Sequence, residues 1–422
     1  MNKIVPIDAQ SGSNSMDAYD IERVREDFPI LKQHIYGKSL VFLDSGASAQ
    51  KPQVVIDAVH ECYETYYSNV HRGAHFLSQK CTDVYEQVRG QIATFINAQS
   101  ENNVIFTSSV TESINLVAQT WGRKFLKKGD EIIVSEVEHH ANIVPWQLLQ
   151  DEIGFEIKVA KIDDQGEFLL DTFKALLSPK TKLVAITDCS NVLGTMLPVK
   201  EITRLAHEVG AKVLVDGTQG IVHIGVDVQD LDCDFYGFTG HKIYGPTGVG
   251  ILYGKMDVLK SMPPYQGGGD MIDKVSFSGT TFQEPPYRFE AGTPPIAQVI
   301  GLGVAIKYVS DLGMENISAH EQGLLAYANE LLSAIEGVQI IGQAKDKAAI
   351  ISFLIEGTHP FDVAAVLDRQ GVATRVGHHC AEPLMDRLGI VGTVRASFGL
   401  YNNKDDVDRL VAAIGRAKEL LL

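Results

Sequence analysis

The sequence has no apolar run approaching the roughly 18 residues that a membrane-crossing helix requires. Nor do its first residues hold the apolar core of a secretory signal, so no membrane role is expected. Positive charge is also in short supply. With 37 Lys and Arg against 53 Asp and Glu, the formal net charge is −16, which removes electrostatic support for nucleic-acid binding. Cysteine is sparse and odd in number: Cys62, Cys81, Cys189, Cys233 and Cys380 include no Cys-x-x-Cys pair. A disulfide framework is therefore not expected, and free thiols in a reducing cytoplasm are. Internal repeats and low-complexity tracts are lacking too, which excludes a solenoid.

What remains is the composition of a globular protein, 45% hydrophobic and 21% charged, and 422 residues allow two or three domains. Residues 1–15 are polar and aperiodic and read as a disordered tail or an expression remnant, with Met16 resembling a natural start. From about residue 100, short β-branched runs alternate with amphipathic stretches. Val104-Ile105-Phe106, Ile132-Ile133-Val134, Leu183-Val184-Ala185-Ile186 and Val213-Leu214-Val215 read as buried strands, and 201–209 as a helix with Gly210 as its C-cap. This alternation predicts an α/β fold with a mostly parallel sheet. In the last 75 or so residues, 350–355, 373–376 and 394–398 read as strands. A final helix from about Lys404 has Val407, Leu410, Val411 and Ile414 on one face. The expected organisation is a segment 16–36 joining the small domain, a large domain 37–295 and a small α+β domain 296–422, with the boundary near Pro294-Pro295.

The residues with chemical potential follow strand ends. Thr111 comes after 104–106, His139 after 132–134, Asn191 after 183–186 and Asp216 after 213–215, the edge where open α/β sheets bind ligands. Lys242 lies in Phe238-Thr239-Gly240-His241-Lys242-Ile243-Tyr244-Gly245-Pro246, a turn pinned by glycine and proline. An amine there, with Asp216 upstream, suits a Schiff-base lysine for pyridoxal phosphate, whose ring nitrogen needs a carboxylate and whose phosphate needs donors. Gln219 or Asn191 would donate to the ring's phenolic oxygen. Ser108-Ser109-Val110-Thr111-Glu112 reads as a helix N-cap, as a phosphate site, or as both. His139 suits a ring stacked on the cofactor or a structural histidine, and no companion spacing supports a metal. Cys380, in Arg375-Val376-Gly377-His378-His379-Cys380, reads as a reactive thiol beside cationic groups rather than a buried hydrophobe. Arg395 is a charge inside an apolar run, which implies a buried anionic partner or a substrate carboxylate.

Taken together, these residues resemble the pyridoxal-phosphate cysteine desulfurases of the class V aminotransferase-like family, most of all the SUF-type group II branch that includes selenocysteine lyases. The likeness runs from about Asp20 to the C-terminus. It rests on Asp44-Ser45-Gly46-Ala47-Ser48, Val70-His71-Arg72-Gly73, Glu138-His139-His140-Ala141-Asn142, Ser190-Asn191-Val192-Leu193-Gly194-Thr195, Gly240-His241-Lys242, Arg288-Phe289-Glu290-Ala291-Gly292-Thr293 and the segment from Arg375 to Cys380. The resemblance implies fold type I of the pyridoxal-phosphate transferases. It implies Lys242 as the Schiff-base lysine, Asp216 at the pyridine nitrogen, Gln219 at the phenolic oxygen and His139 on the ring. Thr111, Thr239 and His241 would hold the phosphate, and Gly267 and Thr293 would reach that of a neighbouring subunit, which implies a homodimer. Arg395 would bind the carboxylate of L-cysteine, with Asn191 beside it. Cys380 would take the sulfur as a persulfide and pass it to a SufE-like or SufU-like protein for iron–sulfur cluster assembly. A selenocysteine lyase and a non-catalytic scaffold are the alternatives. Two departures stand out: Val110 replaces a threonine of the usual Gly-Thr-Thr-Glu, and Gln266 replaces a common glutamate before Gly267-Gly268-Gly269.

Overall fold

A computed structural model describes residues 19–422; the tail read at 1–15 and the start-like Met16 lie outside the described residues. The central sheet has seven strands in the spatial order Val104–Thr107, Gly250–Gly254, Phe235–Thr239, Lys212–Asp216, Thr181–Thr187, Glu131–Ser135 and Glu156–Ala160. From Phe235–Thr239 to Glu156–Ala160 all neighbours are parallel, whereas Gly250–Gly254 runs antiparallel to both its partners. The inner strands are apolar on both faces because helices cover both, whereas the edge strand Glu156–Ala160 is largely exposed or half-buried. Successive residues alternate between the two cores, with Ile133, Val184, Val213 and Val215 in one. Ile132, Val134, Leu183, Ala185 and Leu214 lie in the other. Among the described residues, no single helix is long and apolar enough to cross a membrane.

A second, antiparallel sheet takes the order Val338–Ile341, Ile350–Ile355, Thr393–Ser397 and Arg375–Gly377. Helix Lys404–Leu421 covers it, opened by a capping box between Asn403 and Asp406, and it buries Val407, Leu410 and Ile414. The run read as one strand at 373–376 is in fact two. Val372–Ala373 pairs in parallel with Val41–Phe42, and Arg375–Gly377 joins the antiparallel sheet. Helix Val199–Glu208 ends a residue earlier than expected, and Gly210 follows in the left-handed region at φ +78°.

Helix Ile296–Leu312 starts directly after Pro295, at the predicted boundary. Its buried Val299, Ile300, Leu302 and Ile306 nevertheless pack into the core of the larger sheet. The core of the small sheet takes in Val41 and Leu43 and, past Pro295, draws its first residues from Leu324 and Leu325 of helix Met314–Ser333. The N-terminal segment touches both parts. Val24 and Phe28 enter the larger core, while Arg25 pairs with Asp406 at 2.8 Å and donates to the Tyr401 carbonyl at 2.6 Å.

Candidate functional site

A cavity of about 190 Å³ opens at the C-terminal edge of the parallel strands. Phe235–Thr239 runs into the lysine loop, where Gly240 and Gly245 make the turn possible. The Gly240 amide donates to the Val249 carbonyl and the Gly245 amide to the Gly240 carbonyl, both at 2.9 Å. A side chain at Gly240 would meet Val249 Cγ1 at 2.7 Å and the Pro246 carbonyl at 3.0 Å. From the other side, the His241 carbonyl, which belongs to the peptide leading into Lys242, accepts from the Ala49 amide at 3.1 Å, Ser48 Oγ at 3.3 Å and Lys51 Nζ at 3.1 Å. Thus the loop's own turn and one distant segment, residues 48–51, hold the backbone on which the lysine stands.

At the far strand, Val104–Thr107 leads into helix Val110–Val117, and the N-cap is Ser109, whose Oγ accepts from the Glu112 amide at 3.2 Å. The first-turn amides of Val110 and Thr111 have no intrahelical acceptor and suit an anion. Thr111, Thr239 and His241 line the cavity at this end. Val110 lines it too, but its side chain belongs to the apolar core beneath, so only its backbone is placed to serve a phosphate.

Lys242 faces the cavity, and burial lowers its amine to about 8 despite the opposing field of Asp216. Asp216 ends strand Lys212–Asp216, with one oxygen accepting from the Thr218 amide at 3.1 Å. Burial, then Lys242, lowers His139 to about 4, so its ring stays neutral. The Ala141 amide donates to His139 Nδ1 at 3.1 Å, which leaves Nε2 to carry the proton. His241 is likewise lowered to about 4 by burial and by Lys242 and Lys51. Gln219 lines the cavity, with its amide donating to the Gly46 carbonyl at 2.9 Å, so one of its two N–H groups is already engaged.

Cys380 is exposed at the same cavity, and His379 and Cys380 both take left-handed backbone at φ +54° and +56°. Consecutive non-glycine residues there are strained and need external support. The support comes from the opposite wall. The His140 amide donates to the Cys380 carbonyl at 2.7 Å, Asn191 Nδ2 to the His379 carbonyl at 2.7 Å, and the Glu382 amide to His140 Nε2 at 2.9 Å. Arg395 is 2% exposed and donates Nη1 to the Asn191 carbonyl at 2.8 Å.

Sequence reasoning missed two carboxyl groups close to Asp216. Glu138 is buried and accepts from the Ser135 amide and hydroxyl, the Thr187 amide and Asn142 Nδ2, tying the ends of two strands together. Asp188 accepts from the Gly220 amide at 3.0 Å and the Tyr236 hydroxyl at 2.9 Å. Burial pushes Glu138 up to about 8 and Asp188 up to about 7, with Asp216 adding to both. The signal was there for Glu138, which directly precedes His139, but nothing in the sequence showed it turned inward.

Arg395 Nε, Asn191 Oδ1, His379 Nδ1 and Thr218 Oγ1 are buried without a partner, and all four residues line this cavity. Such atoms are costly unless a ligand satisfies them. With an amine, a strand-end carboxylate, a neutral flat imidazole and first-turn amides around one cavity, the residues fit pyridoxal 5′-phosphate. Gly267 and Thr293 are not brought to it. Their stretch lies beside a second cavity lined by Arg72, Asp270, Tyr287 and Gly292. Among the described residues, no cluster of three His, Cys, Asp or Glu could hold a metal ion.

Residues 41–410 match the family model described as Aminotransferase class-V. A cysteine desulfurase of Dickeya dadantii is 50% identical over 407 residues, covering 96% of this chain and 98% of the relative. One from Synechococcus elongatus is 49% identical over 408 residues, and there the chain spans only 65% of the relative's length. Among solved structures, the cysteine desulfurase CsdA of Escherichia coli superposes with a TM-score of 0.90 at 40% identity, covering 96% of this chain and all of that one.

Proposed function

The chain belongs to the aminotransferase class-V family, whose cofactor is pyridoxal 5′-phosphate, and from that membership we propose that it is a cysteine desulfurase that moves sulfur from L-cysteine onto Cys380. One observation carries this reading: an exposed cysteine, held on strained backbone, faces the cavity that also holds the Lys242 amine and the buried Arg395. A transaminase would have no use for that thiol.

Arg395 grips the substrate carboxylate, since a buried guanidinium with an unpartnered Nε favours an anion. The Lys242 amine, with its lowered pKa, is partly neutral near pH 7 and serves as nucleophile and then as base for the Cα proton. Bound pyridoxal phosphate supplies an electron sink for the bonds at Cα. Asp216 would hold the pyridine nitrogen of the bound group, and His139, with the proton on Nε2, would lie against its ring and could pass that proton on. The Cys380 thiolate attacks the substrate sulfur. The C–S bond breaks, an S–S bond forms, and the proton lost by the thiol balances the one gained by carbon, giving alanine and an enzyme persulfide.

The same proposal extends to the group II branch, supported by the short Arg-x-Gly-His-His-Cys segment. It includes a homodimer, supported by Gly267 and Thr293 not lining the cavity of their own chain and by exposed Tyr63, Tyr67, Phe76 and Leu77. It also includes a SufE-like or SufU-like acceptor for iron–sulfur assembly and a cytoplasmic setting, in keeping with five free cysteines. A Cys380→Ser variant should keep its cofactor absorption and lose sulfur transfer by about 100-fold or more. Undiminished alanine formation from cysteine would overturn the persulfide assignment. Retained turnover of selenocysteine alone would point to the lyase branch.

A further inference from the structure

Asp44 opens one of the segments that carry the family resemblance, but the mechanism above gives it no task. Its carboxylate lies between two arginines. One oxygen accepts from Arg395 Nη2 at 3.2 Å, and the other is 3.7 Å from Arg375 Nη1. The two arginines differ sharply: the side chain of Arg395 is 2% exposed and that of Arg375 53% exposed, with Asp44 between them at 20%. The Asp44 backbone is held independently, its carbonyl accepting from the Ala47 and Ser48 amides. Among the described residues, no other side chain donates a hydrogen bond to the carboxylate.

A substrate carboxylate bound by Arg395, the reading on which this inference rests, arrives where a carboxylate already sits. Two anions at one guanidinium repel at short range, and the repulsion is strong where water is scarce. Without Asp44, however, Arg395 would be a buried cation with no counter-ion, costly to the fold and open to any small anion. A second seat resolves the conflict. Arg375 is already within 4 Å of Asp44, on the solvent side.

We propose that Asp44 is a displaceable internal counter-ion, seated on Arg395 while the site is free of substrate and moving to Arg375 when a substrate carboxylate takes its place. The balance of forces on Asp44 fits this role, since burial raises its pKa while Arg395 and Arg375 pull it down. A displaceable counter-ion and a structural support have opposite effects on ligand affinity. Removing the charge of a displaceable competitor tightens carboxylate binding; removing a structural support loosens it.

The test is calorimetric titration of the holoenzyme with 3-mercaptopropanoate, which is cysteine without its amine, and with the corresponding amide. Asp44→Asn should bind the carboxylate about 10-fold more tightly, with the amide unchanged, and Asp44→Glu should restore the original affinity. Unchanged or weaker binding of the carboxylate by Asp44→Asn overturns the proposal. Arg375→Gln should weaken binding when Asp44 is present and have less than about a twofold effect in the Asp44→Asn background, as two coupled residues require. Equal weakening in both backgrounds overturns the transfer to Arg375. Arg395→Lys serves as the control. If it leaves carboxylate affinity unchanged, the substrate reading itself fails, which is distinct from a failure of Asp44 alone.

Discussion

Burial, more than any single neighbour, sets the chemistry of individual residues at this site. It lowers the Lys242 amine from the ordinary lysine range to about 8. Between about 8 and 10.5 the folded apo chain therefore carries fewer protons at Lys242 than the unfolded chain, so this group's contribution to stability rises with pH across that window and is least below it. The same shift should appear in reactivity. The rate at which apo protein captures pyridoxal phosphate should rise through a midpoint near 8 and then level off; a stopped-flow profile still climbing at pH 10 would contradict it. Glu138 offers a second test. The Ser135 and Thr187 amides donate to one of its oxygens, and Asn142, oriented by Trp146 Nε1 donating to its Oδ1 at 3.2 Å, points an N–H at the other. Glu138→Gln would set two donors face to face and should cost about 2 kcal/mol in urea unfolding. Adding Asn142→Asp should recover most of that loss, because the new carboxylate can accept both from the introduced amide and from Trp146.

At the scale of elements, the short loop ending in Cys380 depends on a glycine that sequence reading passed over. Gly392 adopts φ +140°, and a Cβ there would fall 2.9 Å from the backbone of Gly377, which itself has φ +112°. The clash would push strand Arg375–Gly377 away from Thr393–Ser397 and shift the thiol with it. Gly392→Ala should therefore slow sulfur transfer while leaving cofactor absorption intact, and an unaffected rate would show that the loop's position matters little. Strands and helices were legible in proportion to how far local pattern decided them. Helix Lys404–Leu421 carried its apolar face in the sequence, and Ile350–Ile355 an apolar run interrupted only by Ser352. The split of 373–376 into two strands was not legible, because each half is chosen by a partner, Val41–Phe42 for one and Thr393–Ser397 for the other.

For the whole molecule, the prediction concerns assembly. The apolar side chains of Tyr63 and Phe76 are 55% and 73% exposed, and Gly267 and Thr293 sit away from the cavity of their own chain. The Tyr63→Glu, Phe76→Glu double variant should sediment as a monomer and bind pyridoxal phosphate more weakly; a stable dimer with undiminished affinity would remove the support for a shared site. The sequence by itself determined the residue types and their order, that is, a lysine in a pinned turn, acids and histidines at strand ends, and a cysteine beside basic groups. Those follow from local sterics and from strand periodicity, which act over a few residues. Only the tertiary structure decided which groups meet. Glu138 and Asp188 gather near Asp216, Ser48 and Lys51 hold the peptide before Lys242, and Asp44 stands between Arg375 and Arg395. Such encounters join residues as far apart as 351 positions, and only packing of the two sheets into one body brings them within hydrogen-bonding range.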